Sequence, residues 1–332
     1  MSASTAFRDG VRRVGRAPAL VAGGWALTLL VSVPLAIVLR SMLAQHLGSS
    51  LAADSAASGV NYDWMQEFAE QASGVGVTFR PTVIGFAAVL DNLSAFVDDV
   101  SRPLVVVAAA SIYILGWLFV AGGIIDRLAR DRPTRAHGFF AACGVFFFRF
   151  LRLAAAQWIV YAFLFGSMHA WLFDRLYPRM IHEVSVERTA FFARVALYVV
   201  FGVLVAACSV IFDYAKVRAV VEDRRSMLGA INAAIGFISR NYAAAATLFL
   251  FDVLLFVLVV AAYALIAPGA GGAGATMWLG FAIGQLYIVA RLAVKLAFWA
   301  SEAALFQSRL AHAGYVARPA VVWPESPAAD MM

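Results

Sequence analysis

Residues Ser226–Ala267 read SMLGAINAAIGFISRNYAAAATLFLFDVLLFVLVVAAYALIA, and the two parts of this stretch follow different rules. Over Ser226–Arg240, the residues Met227, Ile231, Ala234 and Ile238 form one stripe with Leu228 and Ile235 beside it, the spacing of an amphipathic helix that Ser226 can cap. From Tyr242 to Ala267 the chain is almost wholly apolar, with one acid, Asp252, inside the run. A helical run of about 20 residues at 1.5 Å each crosses the roughly 30 Å hydrocarbon core of a bilayer. The stretch therefore predicts a surface helix that turns into a membrane span.

Working outward, the same order recurs. Amphipathic segments starting near Ser4, Thr134 and Ser226 each end in an arginine, each is followed by paired apolar runs, and the acids Asp126, Asp213 and Glu302 mark the exits. Ala233-Ala234-Ile235-Gly236 aligns with Ala141-Ala142-Cys143-Gly144, and Asp223-Arg224 with Asp131-Arg132. The spans fall at about 19–39, 104–125, 146–173, 189–212, 242–267 and 276–300. Continuous apolar runs without polar alternation favour helices over a barrel. The expected fold is an all-α polytopic membrane protein with six transmembrane helices, arranged as three helical hairpins each preceded by a cytoplasmic amphipathic helix. Composition agrees: 63% hydrophobic residues, 14% charged residues and a mean hydropathy of +0.81 lie outside the range of soluble domains.

Positive charge orients the spans. The basic residues cluster before span one, between spans two and three, between spans four and five, and after span six, which predicts both termini in the cytoplasm. Only Lys216 and Lys295 among the 26 cationic residues are lysine, and Ala and Gly are abundant, a composition expected of a bacterial inner (plasma) membrane protein. The net charge of +6 is accounted for by these collars, so membrane lipids and other inner-membrane proteins are the expected partners and nucleic acid is not. The first apolar run is too long for a typical signal-peptide core. Residues 1–310 form one membrane domain that includes an external loop, 41–103, and 311–332 is a mostly disordered cytoplasmic tail. Within the loop, helices are predicted over Tyr62–Ala72, with Trp64 and Phe68 four apart, and over Pro81–Val97, with Ile84, Ala87, Ala88, Leu93 and Phe96 on one side. This loop is either a small cap on the outer surface or a lid or partner platform.

Chemistry-bearing residues are few. Asp252 would be costly to ionise in hydrocarbon, by at least about 3 kcal/mol, unless it faces protein or water. Depth counting places Arg291 near it, Lys295 a turn further out, and Gln157 and Thr28 at similar levels, so these five form a candidate intramembrane polar cluster. It reads either as a proton- or cation-coupling site or as a helix-packing clamp. Asp126, Asp213 and Glu302 with Arg16, Arg149, Arg152 and Arg240 form a candidate cytoplasmic charge collar, the alternative being separately solvated charges. His182-Glu183 lacks the second histidine of a zinc helix, and no phosphate loop, nucleophile elbow or CxxC is present. No catalytic, cofactor or metal residue is expected.

The basic segments before odd spans, with FFFRFLRL at Phe146–Leu153 and FDYAKVRAVVEDRRS at Phe212–Ser226, resemble the six-span membrane domain of bacterial glycerophosphodiester phosphodiesterases and its stand-alone uncharacterised relatives. The resemblance covers most of Ser4–Leu310, leaves no room for the soluble phosphodiesterase barrel, and implies a membrane accessory protein with no catalytic residues to inherit. The expected function is a non-enzymatic accessory, scaffold or regulatory role. The alternative is a transporter or lipid-translocating protein with a polar path around Asp252.

Overall fold

The computed structural model describes residues 1–310 apart from 49, 60, 81, 83, 84 and 270–273. The expected tail 311–332, the helix start at Pro81, Ile84 and the tip of the glycine-rich turn lie outside the described residues. Helix α1 (Ala3–Gly15) opens where Ser2 accepts from the Thr5 amide, and Pro18 starts α2 (Pro18–Leu47). Helices α3 (Ala53–Ser58), α4 (Tyr62–Gln71) and α5 (Ala87–Val97), with a 3-10 turn at Gly74–Thr78, form a cap. Then come α6 (Leu104–Arg130) and α7 (Ala136–Ala162), which runs on through π-helical turns at Phe163–Met168 and Trp171–Leu176 into α8 (Tyr177–Ile181). Helices α9 (Glu187–Val221), α10 (Met227–Arg240), α11 (Tyr242–Ile266) and α12 (Ala275–Leu310) complete the chain.

Six helical segments are long and apolar enough to span a membrane, and among the described residues there is no strand. The protein is an all-α polytopic membrane protein. Its even-numbered spans run further than expected: α9 continues to Val221 and α12 to Leu310, where the sequence pattern placed span ends at 212 and 300. The extra turns are amphipathic, and they are what the entry segments pack against.

The second entry segment corrects the repeat. Thr134–Arg149 is not a separate surface helix, because α7 runs unbroken from Ala136 into its span. The reason lies in one position of each copy. Arg16 is followed by Ala17-Pro18 and Arg240 by Asn241, which break the helix; Arg149 is followed by Phe150-Leu151, which do not. The caps differ as well: Ser226 accepts from the Gly229 amide as expected, Ser2 rather than Ser4 caps α1, and Arg135 opens α7 without a side-chain bond.

Each entry segment packs on the even-numbered span of the copy before it, and the first closes on the last. Thus α1 lies along α12, the start of α7 along α6, and α10 along α9. Small residues make these contacts close. A Cβ on Gly10 would sit 2.6 Å from the Ser301 amide nitrogen, and one on Gly123 would sit 2.6 Å from Cys143 Sγ. Gly10, Cys143 and Ala234 each precede their arginine by six residues, and Ala234 is fully buried. This register sets Cys143 over Ala234, one residue away from the sequence alignment. Asp131 and Asp223 do correspond as aligned: both are left-handed, with φ of 48° and 51°, where the chain turns from an even span into the next entry.

The cap is held at two points. Trp64, Met65 and Phe68 are buried against Met42, Leu43, Leu47 and Phe79, and Trp64 Nε1 donates to His46 Nδ1 at 3.0 Å. Helix α5 is described from Ala87, and just before it Gly85 adopts φ +62° beside the Pro268 carbonyl. At its other end Asp98 accepts from the Tyr198 hydroxyl, from Ser94 Oγ at 3.2 Å and from Arg194 at 3.5 Å. The Tyr198 hydrogen bond, aided by Ser94 and Arg194, holds Asp98 below the ordinary aspartate value of 3.8.

Two expectations follow. Replacing Gly10 by Ala pushes α1 off α12 and lowers stability by about 1–3 kcal/mol, whereas Ala at Gly15, which faces open space, is neutral or mildly stabilising; thermal unfolding in detergent measures both. Because the Asp98 value is depressed on folding, its contribution is complete above about pH 4 and is lost as pH falls below that. Protection factors for the amides over 87–97, taken relative to the intrinsic exchange rate at each pH, should therefore fall at acid pH in the native chain and already be low at neutral pH in Asp98→Asn; equal protection in the two proteins at neutral pH would refute the tether.

Candidate functional site

The polar residues inside the bundle gather in two adjoining places, both built on α12. The first is a dry clamp. Asp252 on α11 is fully buried and accepts a 2.8 Å hydrogen bond from Ser301 Oγ, which also lies 2.9 Å from the Phe298 carbonyl. Gly10 presses on the backbone of the same serine, so α1, α11 and α12 meet at one point. The expected pair between Asp252 and Arg291 does not form. Because α12 runs to Leu310, the residues level with Asp252 are Phe298 and Ser301, and Arg291 lies about two to three turns away.

The second place is a cavity of about 650 Å³ whose walls come from α2, α6, α9, α11 and α12. Its polar wall carries Thr28, Tyr113, Ser209, Asp213, Arg291, Lys295 and Glu302. Apolar surface is contributed by Ala206, Val210, Phe249 and Phe256. Two aromatic rungs between α11 and α12 bracket it: Tyr263 stacked on Tyr287 at 3.9 Å, and Phe249 edge-on to Phe298 at 6.0 Å.

The cavity holds its charges unevenly. Asp213 is engaged by Lys216 at 2.7 Å and by Trp299 Nε1 at 3.2 Å. Lys295 Nζ rests 3.9 Å from the centre of the Trp117 ring and 5.6 Å from that of Trp299, and the Arg291 guanidinium stacks 5.6 Å from Tyr287. Among the described residues neither cation has a carboxylate within ion-pair distance, yet both expose surface within a spanning helix. Glu302 is 4% exposed, and its Oε2 finds no hydrogen-bond partner among the described residues.

The remaining expected members scatter. Thr28 lines the cavity, where its hydroxyl bonds to the Gly24 carbonyl at 2.9 Å and lies 3.3 Å from the Tyr113 hydroxyl; Gln157 is half-buried on α7 and joins neither place. The collar forms with other acids than those expected. Asp126 pairs within its own helix with Arg130 at 2.8 Å, Asp213 turns to Lys216, and Glu302 points into the bundle. Arg16 instead reaches Asp131 at 3.2 Å, and Arg149 reaches Asp223. Arg152 bonds to the Phe148 carbonyl of its own helix, and Arg240 is exposed. The physical reason is depth: Asp131 and Asp223 sit at the ends of the even spans, level with the arginines, while Asp213 and Glu302 lie several turns inside α9 and α12.

Ser301, Trp117, Trp299, Tyr113 and Lys216 are members of the two places that residue counting did not select. One signal was present, since the chain has two lysines, of which Lys295 lines this cavity and Lys216 bonds to Asp213 on its wall. The free cysteines Cys143 and Cys208 lie on α7 and α9, and among the described residues no group of His, Cys, Asp and Glu could hold a metal. Fold and site together define an integral membrane protein of six spans with a half-open cavity between its helices, lined by both polar and apolar side chains. No family model matches the chain, and neither a curated protein nor a solved structure matches it.

The clamp predicts energetic coupling between its two partners. Asp252→Asn and Ser301→Ala should each lower the thermal stability of the protein, and the double variant should lose less than the two losses added, with a coupling of about 1–3 kcal/mol. Strict additivity in that cycle would mean that the bond does not hold α11 to α12.

Proposed function

We propose that this chain is a non-enzymatic accessory protein of a bacterial inner membrane, with both termini cytoplasmic, that organises anionic lipids or neighbouring membrane proteins through its basic face. The observation that carries this reading is the locked collar. Entry segments α1, the start of α7, and α10 are fixed against α12, α6 and α9, leaving Arg8, Arg12, Arg16, Arg132, Arg135, Arg152, Arg225 and Arg240 exposed at one end of the bundle. Next to them Leu228 is 74% exposed and Phe148 67%, so arginine and large apolar side chains share one rim. That combination suits the headgroup region of an anionic leaflet. The resemblance to phosphodiesterase membrane domains, which brings no catalytic residues, supports the same accessory role.

A transporter or lipid-translocating role is the second reading, favoured by the cavity. Any path would then run past Arg291, Lys295 and Glu302, with Asp252 behind the wall rather than on it.

The accessory reading is tested in nanodiscs of phosphatidylcholine with and without phosphatidylglycerol. Anionic lipid should raise the melting temperature and slow amide exchange in α1 and α10. Glutamine at Arg12, Arg225 and Arg240 together should remove most of that gain, at about 1 kcal/mol per arginine. Equal stability in the two lipid mixtures would refute it.

A further inference from the structure

The cavity poses two charge problems that the chain does not solve by itself. At one end Arg291 and Lys295, four residues apart and so on one face of α12, expose cationic groups with no carboxylate within ion-pair distance among the described residues. A cation facing hydrocarbon costs at least about 2.5–3.5 kcal/mol, so these two groups require water or an anion. At the other end Glu302 lines the same cavity with the little surface it exposes, and its buried Oε2, closed off from the cavity, has no donor among the described residues. Lys295 and Glu302 are separated by seven residues, about 10 Å along the helix, too far for a direct pair. The trapped acid has no better internal donor. The Lys216 ammonium is held by Asp213, and the Tyr214 hydroxyl, itself buried without a partner, bonds to neither acid.

We propose that the cavity binds a zwitterionic aminophosphate, with its phosphate between Arg291 and Lys295 and its primary ammonium donating to Glu302. One ligand then brings an anion to the two cations and a donor to the acid on the same wall. Arginine and lysine are matched to a phosphate diester or monoester, the former through its planar fork and the latter as a point charge. Trp117 and Trp299 hold the lysine ammonium in place by its attraction to their ring faces, and they leave its outer side open to the cavity. The volume of about 650 Å³ suits a headgroup with part of its tail, and Ala206, Val210 and Phe256 supply an apolar wall for acyl chains. An ethanolamine phospholipid and free phosphoethanolamine share this chemistry. The apolar wall favours the lipid.

This inference stands apart from the accessory reading, since it concerns the interior of the bundle and not its rim. The full chain is purified in detergent supplemented with equal amounts of phosphatidylethanolamine, phosphatidylcholine and phosphatidylglycerol, and the retained lipid is quantified by mass spectrometry. A second arm measures binding of soluble phosphoethanolamine by calorimetry. Retention of phosphatidylethanolamine at roughly tenfold over the other two is expected, the equivalent of an ammonium–carboxylate hydrogen bond that trimethylammonium cannot make and for which glycerol offers only a neutral hydroxyl. Arg291→Gln with Lys295→Gln should abolish retention of the lipid. Glu302→Gln should erase the preference over phosphatidylcholine while leaving phosphate-dependent retention in place. Binding of soluble phosphoethanolamine without retained lipid, lost in the same variants, would uphold the site and assign it to the free ligand. Equal retention of phosphatidylcholine by the unaltered protein overturns the proposal without recourse to any variant, and so does failure of both the lipid and the soluble compound to bind.

Discussion

Close approach between the entry segments and the even-numbered spans is the contact on which the rest of this bundle depends. In a bilayer, apolar side chains gain nothing by leaving lipid for protein, so helices associate through fit and polar bonds. Gly10 lets the backbone of α1 meet that of α12, and Gly123 lets α6 meet Cys143 and Phe139 of α7. Because α1 packs on the last span, the three copies close into a ring rather than ending as a row. Closure also places α1 against Ser301, the residue that anchors Asp252. The first helix and the fifth span are therefore held by one serine.

That arrangement supplies one donor to a fully buried aspartate, whose Oδ1 has no partner among the described residues. Asp252 has a hydroxyl donor fixed by the neighbouring helix, and α1 covers the contact from outside. A buried polar group with a fixed partner adds specificity more than net stability. Here it sets the register of α11 on α12, which the aromatic rungs at Tyr263–Tyr287 and Phe249–Phe298 then continue. The cavity lies beside the Phe249–Phe298 rung, both rings of which are on its wall.

The span count was legible because hydropathy and length are local properties. The copies were legible too, down to the paired aspartates at 131 and 223, whose left-handed geometry marks the same turn twice. What sequence could not supply was where an apolar run stops being membrane-bound. Span six was ended at Ala300, and depth counting from there set Asp252 opposite Arg291. The helix runs ten residues further, because its last turns are buried by α1 and not by lipid. The same error placed Asp213 and Glu302 in the collar, while the true partners of Arg16 and Arg149 were the turn aspartates. Where residue choice rests on depth, the helix ends move the partners by two turns or more.

The rarity of lysine takes on physical meaning in this setting. Arginine serves the exposed rim, where its delocalised charge bonds to carbonyls and carboxylates alike. Lys216 and Lys295 occupy the one region where a compact ammonium must fit beside tryptophan, on two sides of Trp299. The first is neutralised by Asp213, and that pairing leaves the second without a counter-ion. An interior that needed only to be stable would have matched Lys295 with Glu302, which lies on the same helix. Keeping them apart across a cavity costs stability, and such a cost is characteristic of sites whose missing partner is a ligand.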